Sequence, residues 1–109
     1  MANIFPTLIA NTPAIATATG KVLDSKITVA GGQSAKIRRA WRIQNVGTNA
    51  LFVRFGGAAS STVFHSVLKG GTGDSDGNGG SISEEGSSVF QGEIYVAGTS
   101  PKYVITELI

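Results

Sequence analysis

The residues best suited to chemistry sit in a loop. Asp74, Asp76, Asn78, Gly79 and Glu85 meet the spacing D-x-[DN]-x-[DN]-G-x5-E, by which a calcium loop presents hard oxygens around a sharp glycine turn. An EF-hand also needs a helix on each side. The flanks here are LKGGTG and GSSVFQG, both helix-breaking, and the position that normally carries an apolar residue is Ser81. The expectation is a Gly/Asp/Ser-rich loop over 70–80, with Asp74, Asp76, Asn78 and Glu85 as a weak candidate cation set and no cofactor required.

Other candidates are thinner. His65 is the single histidine, it lies within the strand-like run VFHSVL, and no G-x-S-x-G elbow accompanies it. With one histidine and no cysteine, a histidine- or thiolate-rich metal site is excluded. Glu84 and Glu85 are adjacent, so on a strand their carboxylates point to opposite faces and cannot act as a glycosidase pair. No P-loop, H-E-x-x-H or G-x-G-x-x-G occurs. The reading is that the chain is not an enzyme.

Lys36, Arg38, Arg39 and Arg42 surround Trp41, a combination that can hold single-stranded nucleic acid. Strict alternation puts Trp41 on the face opposite Arg38 and Arg42, which makes Trp41 core together with Ile43. Nucleic acid is therefore not the expected partner. Arg38, Arg42 and Arg54 line one exposed face instead, where guanidinium groups can pair with carboxylates of a protein partner.

The elements that must position these residues are strands. Residues 37–56 alternate β-branched and aromatic residues with polar ones on both sides of Asn45-Val46-Gly47-Thr48-Asn49, which predicts an antiparallel hairpin of about 35–44 and 50–56. Further strands are expected at 21–23, 26–30, 62–68, 81–83, 87–90, 92–97 and 102–109. No segment has sustained helical periodicity. The fold class is all-β, a jelly-roll-like sandwich or barrel over 20–109. Residues 1–19 carry no charge and are punctuated by Pro6 and Pro13, and their apolar residues follow no period. They are expected to form an extended arm lying along the protein's own sheet or a neighbouring subunit.

Size and charge narrow the class. The 109 residues allow one domain, and without cysteine its stability must come from packing or assembly. Neither a signal peptide nor a membrane span is evident. Residues 1–73 hold eight Lys/Arg and one acid, whereas 74–109 hold one Lys and six acids. Interleaved strands would neutralise these halves, and segregated ones would favour contact between copies or with an acidic lattice.

Three segments carry a family resemblance. Ile43-Gln44-Asn45-Val46-Gly47-Thr48-Asn49, Val53-Arg54-Phe55-Gly56 and Ile94-Tyr95-Val96-Ala97, with the final strand YVITELI, resemble small virion proteins of tailed bacteriophages, among them head decoration (cement) proteins and small tail or fibre proteins. The resemblance implies a structural protein on the outer capsid surface of the virion, made in the host cytoplasm. Its implied partners are the major capsid protein and further copies of itself, as a homotrimer. Ile4, Phe5, Leu8 and Ile9 of the arm would be buried between subunits, and Arg38, Arg42 and Arg54 would supply charge pairing. The alternative is a carbohydrate- or ligand-binding β module of a tail or fibre, for which Phe52 and Tyr95 are the available aromatics.

Overall fold

The computed structural model describes residues 9–25, 37–86 and 88–109. Eight strands follow in chain order: β1 Ile15–Ala16, β2 Gly20–Leu23, β3 Ala40–Asn45, β4 Leu51–Phe55, β5 Ser66–Leu68, β6 Ser81–Glu85, β7 Ile94–Gly98 and β8 Tyr103–Leu108. They form two four-stranded antiparallel sheets, β1-β8-β3-β6 and β2-β7-β4-β5, in a sandwich-like arrangement. No helix occurs among the described residues, as the lack of a 3.6-residue period predicts. The pairing is nested: β4 with β5, β3 with β6, β2 with β7 and β1 with β8, as if one long hairpin had been rolled up. Two further ladders, β3 with β8 and β4 with β7, complete the sheets.

Alternation decides what each strand buries. Trp41, Ile43, Tyr103 and Ile105 point inward from the first sheet, against Leu23, Leu51, Val53, Leu68, Ile94 and Val96 of the second. Phe55 lies edge-on to Trp41, with ring centroids 5.7 Å apart, and stacks on Phe90 at 5.1 Å. The expected core placement of Trp41 and Ile43 is thus what the strands produce.

The expected 35–56 hairpin does not form. β3 and β4 belong to opposite sheets, and residues 46–50 carry the chain across the sandwich. A five-residue turn between two alternating runs fits a hairpin and a sheet-to-sheet crossing equally well, and tertiary pairing chooses. Asn45 shows why the crossing is favoured here. Its buried amide nitrogen donates to the carbonyls of Asn49 (2.8 Å), Leu68 (3.0 Å) and Lys69 (3.2 Å), while Oδ1 accepts from the Gly47 amide at 3.0 Å. One side chain thereby ties the crossing to the end of β5.

Other boundaries also differ. β5 starts only at Ser66, because residues 61–63 bend around the Ser60 hydroxyl, which accepts from the Thr62 and Val63 amides. Residues 88–90 carry no ladder, since the Phe90 amide donates to the Glu84 carboxylate instead. The 26–30 strand lies outside the described residues. Within the segment expected as an arm, residues 9–18 run along β8. The Ala10 amide donates to the Glu107 carbonyl, Asn11 exchanges bonds with Ile105 O and Glu107 N, and the Tyr103 hydroxyl donates to Ala18 O. Burial raises the pKa of that hydroxyl.

Arg38 is the largest departure. It is fully buried rather than exposed. Regular alternation begins only at Ala40, and before it the Gln91 amide brackets the Arg38 backbone, accepting from its N–H at 2.8 Å and donating to its carbonyl at 2.6 Å. This turns the guanidinium into the sandwich. Nε pairs with Glu107 Oε2 at 2.8 Å, Nη1 donates to Phe90 O (2.6 Å) and Gly92 O (3.0 Å), and Nη2 donates to Asp24 O.

Two outcomes follow for stability. Arg38→Ala leaves a buried carboxylate and three carbonyls without these donors and is expected to destabilise by about 3–5 kcal/mol. The double change Arg38→Met with Glu107→Leu should recover part of that loss, and urea unfolding of both variants measures it. Gly79→Ala would set a Cβ 2.1 Å from the Asn45 carbonyl oxygen, a backbone atom that cannot step aside. It should cost more than about 1 kcal/mol by the same assay, although the loop is largely exposed.

Candidate docking face

The outer face of the first sheet follows from its registers. Leu108 pairs with Ala40, Ala40 with Glu85, and Ile9 bridges to Leu108, so these four side chains form one row. Thr106, Arg42 and Ser83 form the next. Ile15, Val104, Gln44 and Ser81 form the third. Side chains two residues apart share a face, so the three rows make one surface. Its centre is low and polar, with Arg42 Nη1 donating to Gln44 Oε1 at 3.2 Å. Its β1–β8 margin is aliphatic: Ile9 is 67% exposed and Ile15 55%, beside half-buried Val104 and Leu108.

Of the sequence-predicted contact residues, Ile9 and Arg42 therefore meet on one face. Arg38 is inside the protein and cannot contact a partner. Arg54 lies on the outer face of the opposite sheet, where Nη1 donates to Ala58 O at 3.0 Å. Ile4, Phe5 and Leu8 lie outside the described residues. Ile15, Val104 and Leu108 were not expected. The signal for Val104 and Leu108 was present in KYVITELI, where apolar residues occupy both alternating sets, a pattern that an ordinary solvent-facing strand does not need.

The face can bind by area and by one charge. Covering an exposed isoleucine contributes of order 1–3 kcal/mol, and an arginine among hydroxyls offers forked donors to a carboxylate. A shallow depression beside it, floored by Ala40, Ser83 and Thr106, adds relief without enclosing a ligand.

The remaining chemical candidates are engaged elsewhere. Asp76 accepts from the amides of Thr72 (3.0 Å), Gly73 (2.7 Å) and Asn78 (2.9 Å) and from the Thr72 hydroxyl (2.6 Å). The hydroxyl bond foremost, with the amide bonds, lowers its pKa from 3.8 to about 2. Asp74 pairs with Lys102, Asn78 Nδ2 contacts Thr72 and Asp76, and Glu85 stands on the outer face of β6. Among the described residues no three His, Cys, Asp or Glu side chains are grouped to hold a metal ion. The loop is ordered by packing instead: Gly71 N donates to Gly47 O, Ser75 N to Val46 O and Asn45 N to Gly80 O. A Cβ on Gly70 would lie 2.2 Å from Thr48 O, so that glycine permits the close approach.

His65 precedes β5, stacks on Phe55 and accepts the Phe55 amide on Nδ1 at 3.1 Å. Glu84 and Glu85 do point to opposite faces; Glu84 turns inward and accepts the Trp41 indole N–H at 2.8 Å. No helix among the described residues is long and apolar enough to cross a membrane.

Asp76 sets a pH dependence. Its folded pKa lies below its unfolded value, so its contribution to loop order is complete above about pH 4 and is lost as the pH falls through about 2. Carboxyl-carbon NMR should show a midpoint near 2, with the Thr72, Gly73 and Asn78 amide shifts following it, and Asp76→Ala should abolish those shifts. Because Asp76 Oδ2 already accepts from Thr72 and Gly73 and Asp74 is paired with Lys102, the melting temperature should not change with millimolar calcium or chelator.

Comparison with known proteins adds nothing to this geometry: no family model, curated protein or solved structure matches the chain.

Proposed function

We propose that the protein is a structural component of a tailed-phage virion, a cement protein that binds the outer capsid surface and stabilises the shell. The observation that carries this reading is the outer face of the first sheet, where Ile9, Ile15, Val104 and Leu108 stand exposed or half-exposed beside Arg42. A face of this kind suits a broad lattice better than a small molecule, because its contacts are spread across strands and no deep cavity focuses them. The nested pairing of eight strands supports a jelly roll, an architecture common in viral capsid and lectin domains.

Under this reading the partners are the major capsid protein and further copies of the chain in a homotrimer, and Ile4, Phe5 and Leu8 are proposed as contact residues alongside Ile9. Many modest contacts then sum across the shell. The protein performs no catalysis and resides on the virion. The competing reading, a glycan- or ligand-binding module, would use Phe52 and Tyr95. The Phe52 ring packs on Phe64 at 5.0 Å, and the Tyr95 hydroxyl donates to Glu93 at 3.0 Å, raising the tyrosine pKa. Those contacts favour the docking face over a stacking platform.

Cosedimentation with capsids lacking the protein tests the reading. Arg42→Glu combined with Ile15→Asp should weaken attachment at least about tenfold, equivalent to about 1.4 kcal/mol, with an unchanged melting temperature. Decorated shells should rupture at a higher temperature than bare ones. A chain that ignores capsids but binds glycans through Phe52 would replace this function with the ligand-binding one.

A further inference from the structure

A second apolar surface lies on the opposite sheet. Phe52 points outward from β4, Val67 is its register partner on β5, and the Phe64 ring packs on Phe52 at 5.0 Å. Val63, Phe64 and Val67 are 47%, 40% and 50% exposed, and Ala97, the other register partner of Phe52, continues the strip. Contiguous apolar side chains of this kind mark an interaction surface. β5 is an edge strand of three residues, so the patch runs to the rim of its sheet.

Charge identifies the occupant. Arg54 stands two residues from Phe52 and exposed Lys69 two residues from Val67, and residues 50–73 contain no Asp or Glu. β7 and residues 99–101 contain none either. A second copy docked patch to patch about a two-fold axis would bring the Lys69 and Arg54 cations towards like charges, and the nearby carboxylate, Glu93 beside Tyr95, is already paired with Lys21. Like charges brought together across an interface disfavour it. The other exposed aliphatic face, which carries both Arg42 and Glu85, belongs to the first sheet and is the one proposed above to meet the capsid.

We propose that the Phe52–Val63–Phe64–Val67 patch is a docking site for an extended peptide segment of a different protein, one that presents alternating apolar and acidic side chains. Its apolar set covers Phe64 and Val67, and its carboxylates reach Lys69 and Arg54. The segment lies along the β5 rim, in the manner of strand addition to a sheet edge. The protein then has two binding faces on opposite sheets and can bridge two partners.

A terminally blocked peptide alternating valine and glutamate is the probe, titrated into the full-length isotope-labelled protein by NMR. Amide shifts should concentrate at residues 52, 63–69 and 97. Affinity should fall with added salt and drop about tenfold or more in Val67→Lys and, separately, in Lys69→Glu, while melting temperatures hold. Because Val67→Lys only adds a charge to an exposed edge position, it leaves the core intact. A valine–lysine peptide should not bind the native protein and should bind Lys69→Glu better. Equal binding of both peptides, or shifts mapping away from β5, would overturn the proposal. A concentration-dependent dimer abolished by Val67→Lys would give the patch to a second copy instead. Retention on anionic vesicles with no peptide binding would assign it to a lipid surface. Either of these results also overturns it. Capsid attachment through the first sheet should be unaffected by these variants, so the two faces fail or stand separately.

Discussion

One guanidinium holds an end of this sandwich together. Arg38 reaches from the entry of β3 to Glu107 on β8, to the 90–92 connection and to the end of β2, and so joins both sheets and a loop through a single planar group. Arginine suits the position because its donors diverge in one plane and none needs to be deprotonated to fit. A lysine would offer a point charge to one acceptor at a time. Buried ion pairs do not generally add stability over apolar packing. What this one does is define which segments meet, since any other register of β3 would leave a charge buried among carbonyls without partners.

The opposite end uses a neutral counterpart. Asn45 terminates β3 as Arg38 precedes it, and its amide engages the crossing and the end of β5. Between these two polar anchors the strands need only alternate, and the apolar interior follows. Every buried side-chain nitrogen or oxygen among the described residues has a partner, so neither anchor leaves an orphan group behind. The glycine-rich loop closes over the Asn45 corner, with Gly70 and Gly79 placed where backbone meets backbone.

Alternation in the sequence was enough to read strand content, the inward side of Trp41 and Ile43, and the presence of the C-terminal strand β8. Pairing was not readable, because a five-residue turn is compatible with either sheet topology until Asn45 finds Leu68 and Lys69. Arg38 was misplaced for a related reason. Period-two alternation holds only from Ala40 on, and the partner that fixes the backbone just before it, Gln91, lies more than fifty residues away in the chain. Ile9 and Arg42 could be named separately from the sequence. That they share a surface depends on the β1–β8–β3 order, which no local pattern encodes. The calcium-like spacing was legible, yet its meaning was local, because Asp76 organises the loop's own amides.

The nested ladders carry a kinetic consequence. Ten residues separate β4 from β5, whereas 86 separate β1 from β8. Closing the longer loop directly costs about 2 kcal/mol more in chain entropy. Once the inner ladders have formed, each outer one has only a short span left to close, so the sandwich zips from β4–β5 outward. The β1–β8 ladder is then last to form and first to fray. That ladder is also the one that presents Ile9 and Ile15. The face described on the first sheet is thus completed at the end of folding, and chains caught in earlier stages would have the core but not the aliphatic margin.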